Sequence, residues 1–395
     1  MKFDVKNIIG CLLILTMILC CSTSFYTRFH AAPTYTCMLV LSILFLYFKK
    51  KITRTNMLSC VFLAAIVGVT CFIKFDYTQI NSVIIFAIKM IVLLIITSNV
   101  SKERFQKWFI QIMCVEVIIS LICFTLCCLG YQSSLPGFMS STVDYYFLGI
   151  SGYNEVYYTP YYTIGWLSTD GFFYRNAGVF SEPGVHAFML GLAMLFYLNN
   201  INLERSKVTL LILLVGLVST KSTAGYFSLV ILGLLYIADK GKIKSIKFQA
   251  SVLLMLCVFA LVIILFGDVF DKVLTQSGSF GTRANDTLGG LMLVSESPIL
   301  GYGFFAEVAT KLERYGIQTM SNGLIGLFIS LGIPLTIIYI TAFFKGLRRF
   351  FGFKNFGCII LCLFFIFNFN VQAIGFYVIT LVFFFHWKED VKLIK

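Results

Sequence analysis

The polar segment RNAGVFSEPGVH, residues 175–186, carries side chains that suit chemistry on an anionic substrate. The guanidinium of Arg175 is a planar fork of donors that matches phosphate oxygens. Glu182 directly precedes Pro183, where a helix is expected to begin, so its carboxylate is either a general base or a cap stabilised by the helix dipole. His186 lies one turn further on, where it either binds substrate or packs in the interior. We predict that Arg175 and Glu182 are catalytic and that His186 binds substrate.

Arg283 is the third predicted catalytic residue and lies in a second polar stretch, SGSFGTRANDTLGG. The pattern predicts an amphipathic helix over 282–295 with Arg283 in its first turn. An arginine there opposes the helix dipole unless an anion lies nearby or Asp286 pairs with it. The turn that follows, at Pro298, Gly301 and Gly303, would let the backbone approach a ligand.

The segment STKSTAG, residues 219–225, separates two short apolar stretches. Its small residues allow close helix packing, whereas a broken helix would leave backbone groups facing a cavity. Both interpretations stay open, and Lys221 is expected on the external side. Further candidates for substrate binding are polar residues in or beside these segments: Tyr174, Asn176, Lys221, Tyr302, Ser321 and Asn322.

Two charged residues, Lys89 and Glu116, lie inside apolar stretches. A charge at the centre of a bilayer costs about 2.5–3.5 kcal/mol on insertion scales, so such residues are usually paired or functional. The same depth on adjacent antiparallel helices predicts a structural ion pair between them. A proton or substrate relay is the alternative.

Composition indicates a membrane protein. Hydrophobic residues make up 59% of the 395 residues, charged residues only 12%, and the mean hydropathy is +0.90. The net charge of +13 is spread over short clusters between apolar runs. This pattern is typical of cytoplasmic loops and argues against a nucleic-acid-binding protein.

The apolar runs predict an all-α polytopic integral membrane protein with about twelve transmembrane helices. We expect one membrane domain over residues 1–395, with the first run retained rather than cleaved. Most of the 31 Lys and Arg fall on one side when the N-terminus is cytoplasmic, which puts both termini there. The thirteen cysteines lie in the apolar runs, so neither a disulfide framework nor a metal site is expected. The predicted spans are 8–26, 32–48, 57–74, 79–98, 108–130, 184–199, 208–220, 223–238, 248–266, 323–344, 356–371 and 374–387.

Two external loops are long, residues 131–183 and 267–322. Loops of this length are usually functional or disordered, and these are too aromatic to suggest disorder. Aromatic rings offer apolar faces and phenolic hydroxyls to a sugar, although an interfacial aromatic belt would also explain them. The first loop contains Trp166 and Tyr131, Tyr145, Tyr146, Tyr153, Tyr157, Tyr158, Tyr161, Tyr162 and Tyr174.

The order of these motifs resembles the O-antigen polymerases of the Wzy type. Arg175, Gly178, Phe180, Glu182 and Pro183 look like the family's loop signature before a helix. STKSTAG is similar to its Ser/Thr/Gly-rich helical break, and an arginine followed by PILGYG resembles its second-loop pattern. The next helix often opens with His-Asn in the family, whereas this chain has Ser-Asn, which favours a polymerase over the related O-antigen ligases.

The resemblance implies a GT-C-like glycosyltransferase architecture and an enzyme without a cofactor. Such an enzyme would polymerise undecaprenyl-diphosphate-linked repeat units at the periplasmic face of the bacterial inner membrane. Its expected partners are the lipid-linked donor and acceptor, membrane lipid and a chain-length regulator protein, with no nucleic acid. No external Asp-x-Asp pair is present, so arginine rather than a metal ion is expected to stabilise the diphosphate. An O-antigen ligase is the closest alternative, and a lipid-linked oligosaccharide flippase is the competing class.

Overall fold

The protein is mainly helical. The computed structural model describes residues 5–23, 31–49, 51–73, 80–129, 131, 165–168, 171–180, 182–199, 206–239, 279–303, 322–353, 355–372 and 374–387. One antiparallel hairpin joins β1 (Gly165–Ser168) to β2 (Gly171–Tyr174). The helices are α1 (Val5–Leu19), α2 (Ala31–Lys49), α3 (Arg54–Ile73), α4 (Ile80–Asn99), α5 (Lys102–Cys128), α6 (Pro183–Asn199), α7 (Lys207–Ser219), α8 (Thr223–Asp239), α9 (Ser279–Glu296), α10 (Gly323–Phe351), α11 (Asn355–Val371) and α12 (Val378–Leu381).

Four of the described helices, α2, α4, α5 and α10, are long and apolar enough to cross a membrane by length and composition. Shorter apolar helices include α6, α7 and α11. The prediction of a helical protein compatible with a membrane is confirmed, whereas the number of twelve spans stays a prediction. The expected span 248–266 lies outside the described residues.

The predicted final span, residues 374–387, is wrong. The chain forms only α12 and a 3-10 turn at Val382–Phe384, which is too short to span a bilayer as one helix. Its aromatic side chains pack inward: the ring centroid of Phe383 lies 5.9 Å from that of Phe343 on α10. A Cβ at Gly346 would overlap the Phe383 carbonyl, so the glycine lets this segment lie directly against α10.

Side chains from neighbouring helices satisfy the backbone of this irregular segment. Tyr339 Oη donates to the Gly375 carbonyl at 2.6 Å, and Lys89 Nζ donates to the Phe376 carbonyl at 3.1 Å. Irregular backbone at membrane depth is tolerated only where protein or water supplies such partners. Hydropathy detects the apolar side chains but not these donors, which explains why a spanning helix was predicted.

The predicted ion pair between Lys89 and Glu116 is also wrong. Lys89 donates to a backbone carbonyl, and the carboxylate of Glu116 instead pairs with His186. The depth argument placed Glu116 from an expected helix start at residue 108, whereas α5 begins at Lys102. At about 1.5 Å per residue, Glu116 is therefore about 21 Å along its helix.

The chain forms two compact units. Unit 1 contains residues 1–10, 38–102 and 233–395, and unit 2 contains residues 11–37 and 103–232. In unit 2, α6 is buried along its length from Pro183 to Tyr197, as expected for a helix that is apolar on every side. Gly216 of α7 lets that helix approach Leu190 of α6 and Val117 of α5 closely.

Candidate functional site

The predicted loop motif forms a buried strap, residues 175–180, within unit 2. Asn176 is fully buried and its side chain organises the strap. Its amide nitrogen donates to Ser120 Oγ on α5 at 3.2 Å and to Ser219 Oγ on α7 at 3.0 Å, while its oxygen accepts from Gly178 N at 2.9 Å. The strap is therefore tied to two helices by a satisfied polar network, which low solvent exposure makes costly to break.

Arg175 and the STKSTAG turn meet at the beginning of the strap. The half-buried guanidinium donates from Nε to the Thr220 carbonyl at 3.3 Å, and Asn176 N donates to the Ser219 carbonyl at 3.1 Å. These carbonyls lie at the end of α7, where helical acceptors lack intrahelical donors. Within STKSTAG, Gly225 packs closely against Ala187 of α6, and the broken helix leaves carbonyls that accept from the strap, where the prediction had them facing a cavity.

Lys221 occupies the tip of this turn. It is exposed and has a left-handed backbone with φ of +45°, which few residues other than glycine adopt. Its amide donates to the Val218 carbonyl at 3.1 Å.

His186 and Glu116 form a buried pair beneath the strap. Nε2 of His186 lies 3.0 Å from Oε2 of Glu116, with side-chain exposures of 0% and 8%. Nδ1 of His186 faces the Asn176 carbonyl at 3.3 Å, and Oε1 of Glu116 accepts from Val179 N at 3.1 Å. Both ring nitrogens of His186 therefore face oxygen atoms, so the ring is held from two sides.

Gly178 and Phe180 of the strap fit closely against this pair. Gly178 has φ of +57°, and a Cβ there would overlap the Glu116 carboxylate and lie 2.8 Å from Cε1 of His186. The ring of Phe180 stacks on the imidazole at 5.5 Å between centroids. The glycine and the aromatic residue of the loop motif are thus explained by the buried pair.

Glu182 lies two residues after Phe180, the last residue of the strap. It is exposed and precedes the first residue of α6, Pro183, while its carbonyl accepts from His186 N at 3.1 Å. Its position agrees with the cap interpretation and leaves the carboxylate in reach of solvent. Glu182 is therefore open to solvent, whereas Asn176 and His186 are buried.

In unit 1, the second-loop turn packs into a kink of α10. Gly332 has φ of +73° within that helix, and Pro334 lacks an N–H, so the Ile329 and Ser330 carbonyls lose their helical donors. Tyr302 N and Gly303 N replace them at 2.7 and 3.1 Å. The expectation that this turn approaches a ligand is therefore corrected, because its backbone pairs with α10 instead.

Tyr302 and Asn322 are both largely buried in unit 1. Tyr302 Oη donates to Oε2 of Glu296 at 2.5 Å. Asn322 caps α10, with Oδ1 accepting from Leu324 N and Ile325 N, while its amide donates to Thr287 Oγ1 on α9 at 3.1 Å. Thr287 follows Arg283 by one turn of α9.

Several predicted residues lie outside what the structure describes. The backbones of Tyr174 and Arg283 belong to β2 and α9, but their side chains are not among the described ones, and Ser321 is outside the described residues altogether. The same holds for most of the tyrosines of the first loop. Within the described residues, no group of three His, Cys, Asp or Glu could hold a metal ion.

Sequence reasoning missed the partner of His186. Glu116 stands out in the sequence as a charged residue in an apolar helix. The depth argument pairs it with Lys89, whereas its partner in the structure is His186. Ser120 lies one turn after Glu116 on α5, so a polar stripe facing the strap was the pattern that could have identified this site.

The family comparison agrees with the motif reading. The protein-family model described as O-antigen ligase matches residues 208–340, about a third of the chain. The matched stretch contains STKSTAG, Arg283 and PILGYG, which confirms the recognition of an O-antigen polymerase/ligase family pattern made from the sequence. That family covers membrane enzymes that polymerise or ligate glycans carried on lipid. No curated protein and no solved structure matched the chain.

Proposed function

We propose that this protein polymerises undecaprenyl-diphosphate-linked oligosaccharide repeat units into O-antigen, capsular polysaccharide or exopolysaccharide. The reaction would occur at the periplasmic face of the bacterial inner membrane, with both termini cytoplasmic and a GT-C-like architecture. The hydrogen bond from Arg175 to the Thr220 carbonyl carries the proposal. It anchors a phosphate-binding side chain to the turn that lies within the family-matched residues.

In the proposed reaction, a hydroxyl oxygen of the acceptor repeat unit attacks the anomeric carbon of the donor glycan. The bond between that carbon and the diphosphate oxygen breaks, and the lipid diphosphate leaves with the bonding electrons. Arg175 would stabilise the negative charge that develops there, and Arg283 keeps the same predicted role in the second loop. Glu182 would accept the proton of the attacking hydroxyl.

The membrane contributes by confining both substrates to one plane at one depth, which favours productive encounter. We propose no metal ion for the reaction, because neither external loop contains an Asp-x-Asp pair. Tyr174, Lys221 and Ser321 keep their predicted roles in substrate binding. Asn322 and Tyr302 are instead proposed to support unit 1, because both are buried and their polar side-chain atoms have partners there. A chain-length regulator protein is the proposed protein partner.

Buried Asn176 and His186 are proposed to support the strap instead of contacting the glycan. All of the polar side-chain atoms of these two residues have partners within unit 2. A sugar could reach them only by displacing the strap.

Ligation is the second candidate, because the matched family model is described as O-antigen ligase. In that case the same leaving group would depart, but the acceptor would be lipid A instead of a lipid-linked repeat unit. The chemistry at Arg175 would be shared, so the product distinguishes the two activities.

A gel of surface and lipid-linked glycans tests the proposal in cells that lack this gene. Complementation with the wild-type gene should restore a long ladder, whereas Arg175→Ala and Arg283→Ala should give only single repeat units at normal protein abundance. Arg348→Ala is the matched control, since this exposed arginine lies in the last turn of α10 on the predicted cytoplasmic side. In cells that lack the gene, long glycan that remains on the lipid diphosphate and is absent from lipid A would instead establish a ligase.

A further inference from the structure

We infer that Glu116 and His186 are positioning residues that fix Arg175 and Glu182 for the transfer reaction. This inference rests on the proposed function and assigns a role to a buried pair that does not contact substrate. Its basis is that the pair lies beneath the strap, which begins at Arg175, and that His186 also contacts the backbone of Glu182.

The pair holds the strap at two backbone positions. The Asn176 carbonyl faces His186, and Val179 N donates to Glu116. Asn176 directly follows Arg175, and Val179 is three residues before Glu182. Arg175 is therefore one residue from a contact with the pair, and the Glu182 carbonyl accepts directly from the backbone N–H of His186 at 3.1 Å.

The burial of the pair makes this anchor strong. Removing the Glu116 carboxyl group would leave Val179 N and Nε2 of His186 without their hydrogen-bond partner in a low-dielectric interior. Gly178 and Phe180 pack directly on the carboxylate and the imidazole, so displacement of the pair must displace the strap. The carboxyl group of Glu116 on α5 thus supports the geometry of the strap, which follows that helix in the chain.

The first experiment compares Glu116→Ala with Glu116→Gln. Glutamine can accept from Val179 N and donate to Nε2 of His186, so it replaces both hydrogen bonds without the charge. Alanine leaves both partners unsatisfied. Transfer would be measured in membrane vesicles from cells lacking the gene, with lipid-linked repeat units extracted from the same cells.

Glu116→Ala should reduce kcat about 100-fold, the loss expected when a catalytic group is displaced by about 1 Å, and KM should change far less. Glu116→Gln should keep at least about a tenth of the wild-type rate, because glutamine replaces both hydrogen bonds and so keeps the geometry of the strap. Equal rates for the two variants would overturn the inference, and so would a loss confined to KM.

Gln106→Leu provides the matched control on the same helix. Gln106 is fully buried, and its side-chain amide has no hydrogen-bond partner among the described residues. The substitution removes a buried polar group of α5 without touching the strap. If it lowers kcat as much as Glu116→Ala, general damage to α5 explains the loss and the positioning role is excluded.

A double-mutant cycle with Arg175→Lys tests whether the pair acts through Arg175. A lysine lacks the planar fork of donors of the guanidinium, so the transfer rate should depend less on how the side chain at position 175 is aligned. Glu116→Ala should therefore reduce the rate of Arg175→Lys by less than about tenfold, compared with about 100-fold in the wild type. Equal reductions in both backgrounds would show that Glu116 acts independently of Arg175.

The outcomes separate this inference from the proposed function. Full polymer synthesis by Glu116→Ala, with none by Arg175→Ala, would overturn the positioning role and leave the polymerase proposal intact. Polymer synthesis by Arg175→Ala at the wild-type level would overturn the catalytic role of Arg175, whereas a long ladder in cells that lack the gene would overturn the proposed function itself.

Discussion

Replacement of Gly178 by alanine should destabilise the protein far more than the same change at another left-handed glycine. At Gly178, the added Cβ would overlap the Glu116 carboxylate as well as adopting a φ of +57°. The left-handed backbone costs an alanine about 1–2 kcal/mol. Overpacking of a well-packed buried site costs about 1–3 kcal/mol more, so the total loss should be about 2–5 kcal/mol.

Gly352 provides the comparison that separates these two contributions. Its φ is +70°, nearly the same as that of Gly178, but a Cβ there would meet no atom within 4 Å. Gly352→Ala should therefore lose only the backbone contribution, about 1–2 kcal/mol. The difference between the two variants measures the collision with the buried pair.

The free energy of unfolding of both variants would be measured by titration with sodium dodecyl sulfate in mixed micelles, with wild-type protein alongside. Gel analysis of the glycan ladder would follow in complemented cells, where Gly178→Ala should shorten or abolish the ladder and Gly352→Ala should retain it. Equal destabilisation by the two substitutions would refute the close fit between the strap and the pair.

Three further predictions concern unit 1. Gly332→Ala should strain the α10 kink, because the residue has φ of +73° and its Cβ would lie 2.8 Å from Gly301 N; an unchanged melting temperature would contradict this. Asn322→Ala should lower the unfolding free energy by about 1–2 kcal/mol through loss of the helix cap, and substitution by Ser, which keeps a capping oxygen without burying a charge, should lower it less. Burial, and secondarily the charge of Arg349, lower the pKa of His386, whose Nε2 lies 2.8 Å from that guanidinium. The unfolded chain therefore binds the proton more readily, so stability should fall as pH drops below the ordinary value of 6.5, and His386→Gln should weaken that dependence in melting curves at pH 7.5 and 5.5.

The sequence was sufficient to predict helices and loop motifs that depend only on residues close together in the chain. An apolar run of about 20 residues excludes most alternatives to a helix in a membrane, and α2, α4 and α10 lie where such runs occur. The loop motif was also visible, because a polar island between apolar runs is conspicuous by composition alone. These predictions required no knowledge of which residues meet in space.

Partners across the fold could not be predicted in this way. Glu116 and His186 are 70 residues apart, and nothing in the spacing distinguishes His186 from Lys89 as the partner of that carboxylate. The last apolar run shows the same limit, since Tyr339 and Lys89 satisfy carbonyls that hydropathy assumes to be helical. In both cases, a side chain on a distant helix decided the structure.

The buried strap suggests why an apolar protein keeps so many polar residues at one place. Backbone groups inside such an interior must find partners, and residues 175–180 are not helical. Ser219, Asn176 and Glu116 accept from the amides of Asn176, Gly178 and Val179 respectively, so this non-helical segment pairs these backbone groups inside the helical unit. The arrangement holds Arg175 half-buried at one end and Glu182 exposed at the other. A flexible surface loop could present the same two residues, but it would hold them less firmly for the proposed transfer reaction, in which a charged leaving group departs.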